Sequence, residues 1–211
     1  MEKKTKKIKN IIKNYLLNNK KEYIIISLAF LFGLFVAVFF VNNMEQNKKE
    51  EIQTYFGNSV ELIKNSEKIN YFEILKTSVV NNLILVVALW FLGTTIIGIP
   101  LVFLVVAYKG FSLGYTIAIS VFSLGNVKGV IFAIIALLLQ NIISIPVLVA
   151  LGVSGIQVYK SIVKDKRKEN IKIEIIRHTI FSLIMLGLLL ISSVVETFIS
   201  TNGILLIGKY L

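Results

Sequence analysis

"LWFLGTTIIGIPLVFLVVAYKGFSLGY" (residues 89–115) carries a single charged side chain, Lys109. A helix needs roughly 20 apolar residues to cross the hydrocarbon core of a bilayer, so this stretch reads as the end of one span and the start of another. The break is expected at Gly98, Ile99 and Pro100. Proline is disfavoured inside a helix but accepted in its first turn, and it turns the preceding residue away from helical geometry. A lysine at bilayer depth costs a few kcal/mol unless something solvates or pairs it. The helix face that carries Lys109 is therefore expected to be an internal one.

The rest of the chain has the same character. Of 211 residues, 55% are hydrophobic and only 17% charged, with a mean hydropathy of +0.78. Uncharged runs cover 23–44, 77–108, 110–127, 129–159 and 178–195. A soluble domain would break up such runs with charge. The fold class that follows is all-α: a polytopic membrane protein built as a bundle of five transmembrane helices. The first apolar run is longer than a signal-peptide core and lacks a following A-x-A-like site, so it is read as a retained helix. With no cysteine, disulfides, thiolate metal sites and thiol nucleophiles are excluded.

The net charge of +11 does not point to nucleic acid, because the basic residues are not spread over one soluble face. Eight lysines lie within residues 3–21 and seven Lys or Arg between Lys160 and Arg177, whereas 42–76 sets five lysines against six glutamates. This is the positive-inside pattern. It predicts a cytoplasmic N-terminal segment (1–22), a membrane domain (23–211) with an external loop 42–76 and a cytoplasmic loop 160–177, and an external C-terminus. The expected spans are 23–41, 77–97, 100–123, 130–158 with a kink at Pro146, and 178–199. "GNVKG" (125–129) is expected as a short external turn. Five crossings put both basic segments on one side; four or six would not.

Two segments outside the spans are amphipathic. Ile8, Ile11, Ile12, Tyr15 and Leu16 recur at helical spacing opposite Lys6, Lys7, Lys9 and Lys13. A basic amphipathic helix of this kind suits an anionic membrane surface; the alternative is packing against the cytoplasmic loops. In the external segment, Ile52, Tyr55, Phe56, Val60 and Ile63 form one stripe, suited to resting on the membrane surface or meeting a partner.

Side chains able to do chemistry are few. There is no HExxH, Gly-rich phosphate loop or GxSxG, and the lone histidine, His178, reads as interfacial. No catalytic, cofactor or metal site is predicted. The expected intramembrane polar cluster is Lys109, Gln140, Asn141 and Glu196. By helical rise, Lys109 and the two amides share a depth near mid-membrane, with Glu196 roughly 10 Å further out. Such groups either bond helices together, at around 1 kcal/mol per bond, or line a polar path. Gly110 and Gly114, Gly152 and Gly155, and Gly33 with Ala37 offer small-residue patches where helices can approach closely.

The order and spacing of "MEQNKKEEIQTYF", "LWFLGTTIIGIPLV", "KGFSLGY", "QNIISIP" and "SVVETFIS" resembles the stage II sporulation protein M family, five-helix membrane proteins of endospore-forming bacteria. The resemblance runs from about Ile24 to Ser200. It implies a non-enzymatic membrane scaffold for engulfment, holding two peptidoglycan-degrading partners, stage II sporulation proteins D and P, at the septal membrane. The family also occurs in bacteria that do not sporulate. A transport-type, permease-like component, with the polar cluster lining its path, is the alternative.

Overall fold

The computed structural model describes residue 10 and residues 13–65, 70–164 and 168–202. Helices dominate, and no strand occurs among the described residues. In chain order they are α1 (Lys20–Asn42), α2 (Gln46–Asn65), α3 (Tyr71–Gly93), α4 (Gly98–Leu124), α5 (Asn126–Ala133), α6 (Leu139–Lys164) and α7 (Lys168–Val195). Two π-turns interrupt this order, Ile134–Leu138 between α5 and α6, and Glu196–Ser200 after α7. Five helical stretches are long and apolar enough to cross a membrane. The chain is a multi-pass membrane protein. The end of the bundle where α1 begins is its near end, and the opposite end its far end.

Several boundaries differ from the sequence expectation. Most of the 42–76 loop is helical, because α2 fills it and α3 already starts at Tyr71. Asn70 explains that early start: its side chain accepts from the Glu73 backbone N–H and caps the first turn. The break before α4 lies at 94–97, so Gly98-Ile99-Pro100 form the first turn of α4 instead of the gap itself. Segment 160–177 is also mainly helical, shared between the end of α6 and the start of α7. The helix runs through Pro146, and the departure from α geometry comes earlier, at Ile134–Leu138.

"GNVKG" collapses to a single turning residue. Gly125 adopts φ +83°, ψ 163°, a conformation that L side chains rarely take. Gly129 then lets α5 fold back on α4, since a Cβ there would stand 2.4 Å from the Val121 Cα.

Two arrangements organise the packing. First, α6 is the central helix: 67% of its span is buried, against 22–28% of the other four. Second, α1 and α4 form the most extensive helix pair, and glycine makes it possible. A Cβ on Gly33 would lie 1.9 Å from the Ala107 carbonyl oxygen, and one on Gly110 would lie 2.1 Å from that of Phe30. Gly114 rests on Leu34 and Ala37. Lipid tails are as apolar as leucine, so helices in a bilayer gain from close packing instead of water exclusion. The Gly110–Gly114 and Gly33–Ala37 patches face each other and form one seam. Gly155 approaches Gly93 backbone to backbone, at 3.0 Å from its would-be Cβ, whereas Gly152 meets only the side chains of Ile26 and Val102.

At the near end, Lys160 donates to the Glu22 carboxylate, joining the end of α6 to the start of α1. Tyr15 donates to Gln157 at 3.3 Å, and its ring meets Phe181 with centroids 6.4 Å apart. Burial pushes its phenol pKa up, against the smaller downward pull of that bond. Tyr15 therefore packs on α6 and α7, while Leu16 is exposed. Ile8, Ile11 and Ile12 lie outside the described residues.

Candidate functional site

Polar side chains inside the bundle fall into two layers separated by an apolar one. The far layer is built from α3, α6 and α7. Each helix supplies its polar groups at i, i+4 spacing, which stacks them on one face: Ser78 and Asn82, Gln140 and Ser144, Ser192 and Glu196 with Ser193 and Thr197 beside them. Both the Ser78 hydroxyl and the Gln140 amide donate to Oε2 of Glu196. Asn82 donates to Ser193 Oγ at 2.8 Å, and Ser144 and Ser192 share a 2.8 Å hydrogen bond. Ser192 also donates to the Gln140 carbonyl at 3.0 Å. Glu196 opens one π-turn and Gln140 follows the other, and these two turns pack together. π-turns inside helices often mark functional sites.

Beneath this layer lie Val86, Leu89, Leu148, Leu151 and Leu189, all buried in the apolar core. The near layer follows. His178 is 1% exposed and its Nδ1 shares a 2.8 Å hydrogen bond with Ser154. Its Nε2 has no hydrogen-bond partner among the described residues. That nitrogen faces Gly93, where a Cβ would lie only 2.8 Å away. Trp90 donates to Thr179 at 2.9 Å beside it. His178 is thus buried among the helices. Gly93 leaves room for its ring.

Of the four polar residues singled out in the sequence, the structure joins only Gln140 and Glu196 directly. Asn141 is buried but donates to the Leu137 carbonyl of its own helix at 2.7 Å. Lys109 is half-buried near the middle of α4 and has no hydrogen bond or ion pair among the described residues. Close packing explains the separation: the neighbouring residue, Gly110, turns the tight face of α4 towards α1, while Gln140 turns towards α7. The acid of the far layer is held by neutral donors and not by the lysine.

Sequence reasoning missed Ser78, Asn82, Ser144, Ser192, Ser193 and the interior place of His178. The i, i+4 recurrence of small polar residues in three otherwise apolar helices was the available signal. Among the described residues, no three His, Cys, Asp or Glu side chains converge as metal ligands would. The geometry suits hydrogen-bonded helix association around one intramembrane acid.

At the far end, α2 lies against α4 and α5. Phe56 meets Phe132 edge-on at 5.6 Å, and Lys49 donates to the Asn42 carbonyl at 2.8 Å while standing 5.8 Å from the Phe122 ring centroid. The expected stripe divides: Ile52 and Phe56 are half-buried, and Tyr55 is 77% exposed. The backbones of Val60 and Ile63 continue α2, and their side chains lie outside the described ones.

No curated protein and no solved structure matches the chain. Residues 26–201, from within α1 to just past the second π-turn, match the family described as Stage II sporulation protein M. The matched region takes in most of the first span and all of the other four, and with them both polar layers and the glycine seam. The chain belongs to the stage II sporulation protein M family.

Proposed function

We propose that this protein is a membrane-embedded scaffold of the sporulation engulfment machinery, holding peptidoglycan-degrading enzymes, stage II sporulation proteins D and P, at the septal membrane. Family membership supports the sporulation setting. The single observation that carries the scaffold reading is α2: an amphipathic helix seated on the far end of the bundle with Tyr55 turned outward. In this reading the near end, with its lysine-rich flanks, is cytoplasmic, and α2 is external beside the peptidoglycan.

Two measurements test the reading. The chain lacks cysteine, so single cysteines at Asn58 and Ser161 report topology cleanly. An impermeant thiol reagent should label position 58 in intact cells, and position 161 only after permeabilisation. Tyr55→Asp should leave insertion intact and reduce recovery of the two partner enzymes from detergent extracts. Unchanged recovery removes α2 as the docking element.

The intramembrane acid Glu196 favours a second reading, a permease-like component. The layer of Val86, Leu148, Leu151 and Leu189 argues against it, because it separates the near polar layer around His178 from the far one at Ser192. Proteoliposomes decide between the two: a scaffold conducts no solute, and a permease does.

A further inference from the structure

Lys109 carries the single charge of α4 (Gly98–Leu124), and among the described residues it has no hydrogen bond or ion pair. By helical rise it stands about 16 Å from the start of that helix and about 22 Å from its end, close to mid-bilayer. A cation at this depth is costly unless it is paired or wet, and such residues mark functional sites. Its face of the helix is polar beyond the charge itself. Ser112 lies three residues on from Lys109 and four from Tyr108, so all three share one face. Tyr108 is 73% exposed, and Ser112 is exposed with no hydrogen bond to its hydroxyl among the described residues. Gly110 and Gly114, on the opposite side of α4, hold α1. The Lys109 face is therefore left open to the membrane.

The carboxylates of the described spans do not supply the missing charge. There are four: Glu22, Glu73, Glu174 and Glu196. Glu22 is paired with Lys160, Glu174 meets Arg177 at 2.6 Å, and Glu196 accepts from Ser78 and Gln140. Glu73 lies in the first turn of α3 at the far end. A second copy brings the same four groups to its spans, already engaged or at the wrong depth. Lipid phosphate lies outside a hydrocarbon core roughly 30 Å thick, and the four-carbon stem of lysine falls short of it from the middle. We propose that this face of α4 docks a transmembrane helix of a different protein, one with an aspartate or glutamate near mid-membrane. The carboxylate pairs with Lys109 Nζ, and the hydroxyls of Tyr108 and Ser112 donate to its remaining lone pairs. Both charges have left water before they meet, so pairing lowers a cost that each already carries. This contact lies within the membrane and holds whether or not α2 meets a partner outside it.

The test uses the full-length protein in phosphatidylcholine liposomes, with a donor dye on a single cysteine at Asn58. The probe is an acceptor-labelled synthetic polyleucine helix of about 20 residues, made with leucine or aspartate at its centre. Energy transfer should show the aspartate probe binding at least about tenfold more tightly than the leucine probe. Lys109→Met should bring the two probes level, and Lys109→Arg should keep the preference. Lys109→Asp should transfer it to a probe with a central lysine; if that variant does not fold, the Met and Arg variants decide. Equal binding of both probes to the native protein, or a preference that survives Lys109→Met, would overturn the proposal. So would a preference abolished by added phosphatidylglycerol, which would make a lipid phosphate the partner, or self-association lost in Lys109→Met, which would make it a second copy.

Discussion

The α1–α4 seam and the α3–α6–α7 interface solve one problem in two ways. In the first, glycine removes side chains until backbones touch, and Gly33 and Gly110 each face a carbonyl oxygen. In the second, side chains remain and bond, and Ser78, Asn82, Gln140 and Ser144 reach across to α7. Neither solution depends on the hydrophobic effect, which gives little between helices already in lipid. They differ in what they tolerate. A glycine seam resists any added atom, because the opposing atoms are backbone and cannot turn aside. A hydrogen-bonded interface loses one partner at a time and can re-pair.

That difference can be broken by substitution. Gly110→Ile should be the most damaging change, costing about 3 kcal/mol through overpacking and lowering the thermal midpoint in detergent more than the loss of any one polar partner. Gly152→Ala meets only the ends of Ile26 and Val102 and should be far milder. Gly187, with nothing within 4 Å of a would-be Cβ, should accept alanine with no loss and a gain of up to about 1 kcal/mol. If Gly110→Ile unfolds at the same temperature as Gly187→Ala, the seam is not closed by backbone contact.

The polar interface should yield by smaller steps. Asn82→Ala removes the donor to Ser193 but leaves that hydroxyl bonded to the Leu189 carbonyl, so the expected loss is about 1 kcal/mol, read by the same melting assay. A loss as large as that of Gly110→Ile would erase the distinction between the two interfaces. At the near end, Glu22→Gln breaks the pair with Lys160, whose side chain is 43% exposed. Solvent screening limits this to about 0.5 kcal/mol or less, and added salt should shrink it further; a salt-independent loss would show a buried contact instead.

The five spans were legible in the hydropathy and charge pattern because crossing a bilayer imposes a length and an orientation that composition cannot hide. The glycine seam was legible for a similar reason: Gly33–Ala37 and Gly110–Gly114 are spaced to lie on one helix face. The polar interface was harder to see. Serine scarcely lowers the hydropathy of a span and asparagine adds no charge, so Ser78, Asn82, Ser144 and Ser192 passed as ordinary filler, while Lys109 drew notice by its charge. A position in sequence gives depth but not azimuth. Lys109 and Gln140 sit on different faces of helices whose rotation is set by the neighbouring glycine and by Glu196, and that rotation depends on contacts across the whole bundle. His178 was obscured in the same way, since its pocket is made by Gly93 and Ser154 on two other helices.

The central claim is that Glu196 is held by neutral donors of α3 and α6, and that Lys109 takes no part. A pair of double-mutant cycles on thermal unfolding tests it, with Glu196→Gln combined in turn with Gln140→Ala and with Lys109→Met. Residues in contact couple by more than about 0.5 kcal/mol, and distant ones add. Coupling is expected between Glu196 and Gln140, and additivity between Glu196 and Lys109. Additivity in the first cycle together with coupling in the second would contradict it, and would make Lys109 the partner of the acid.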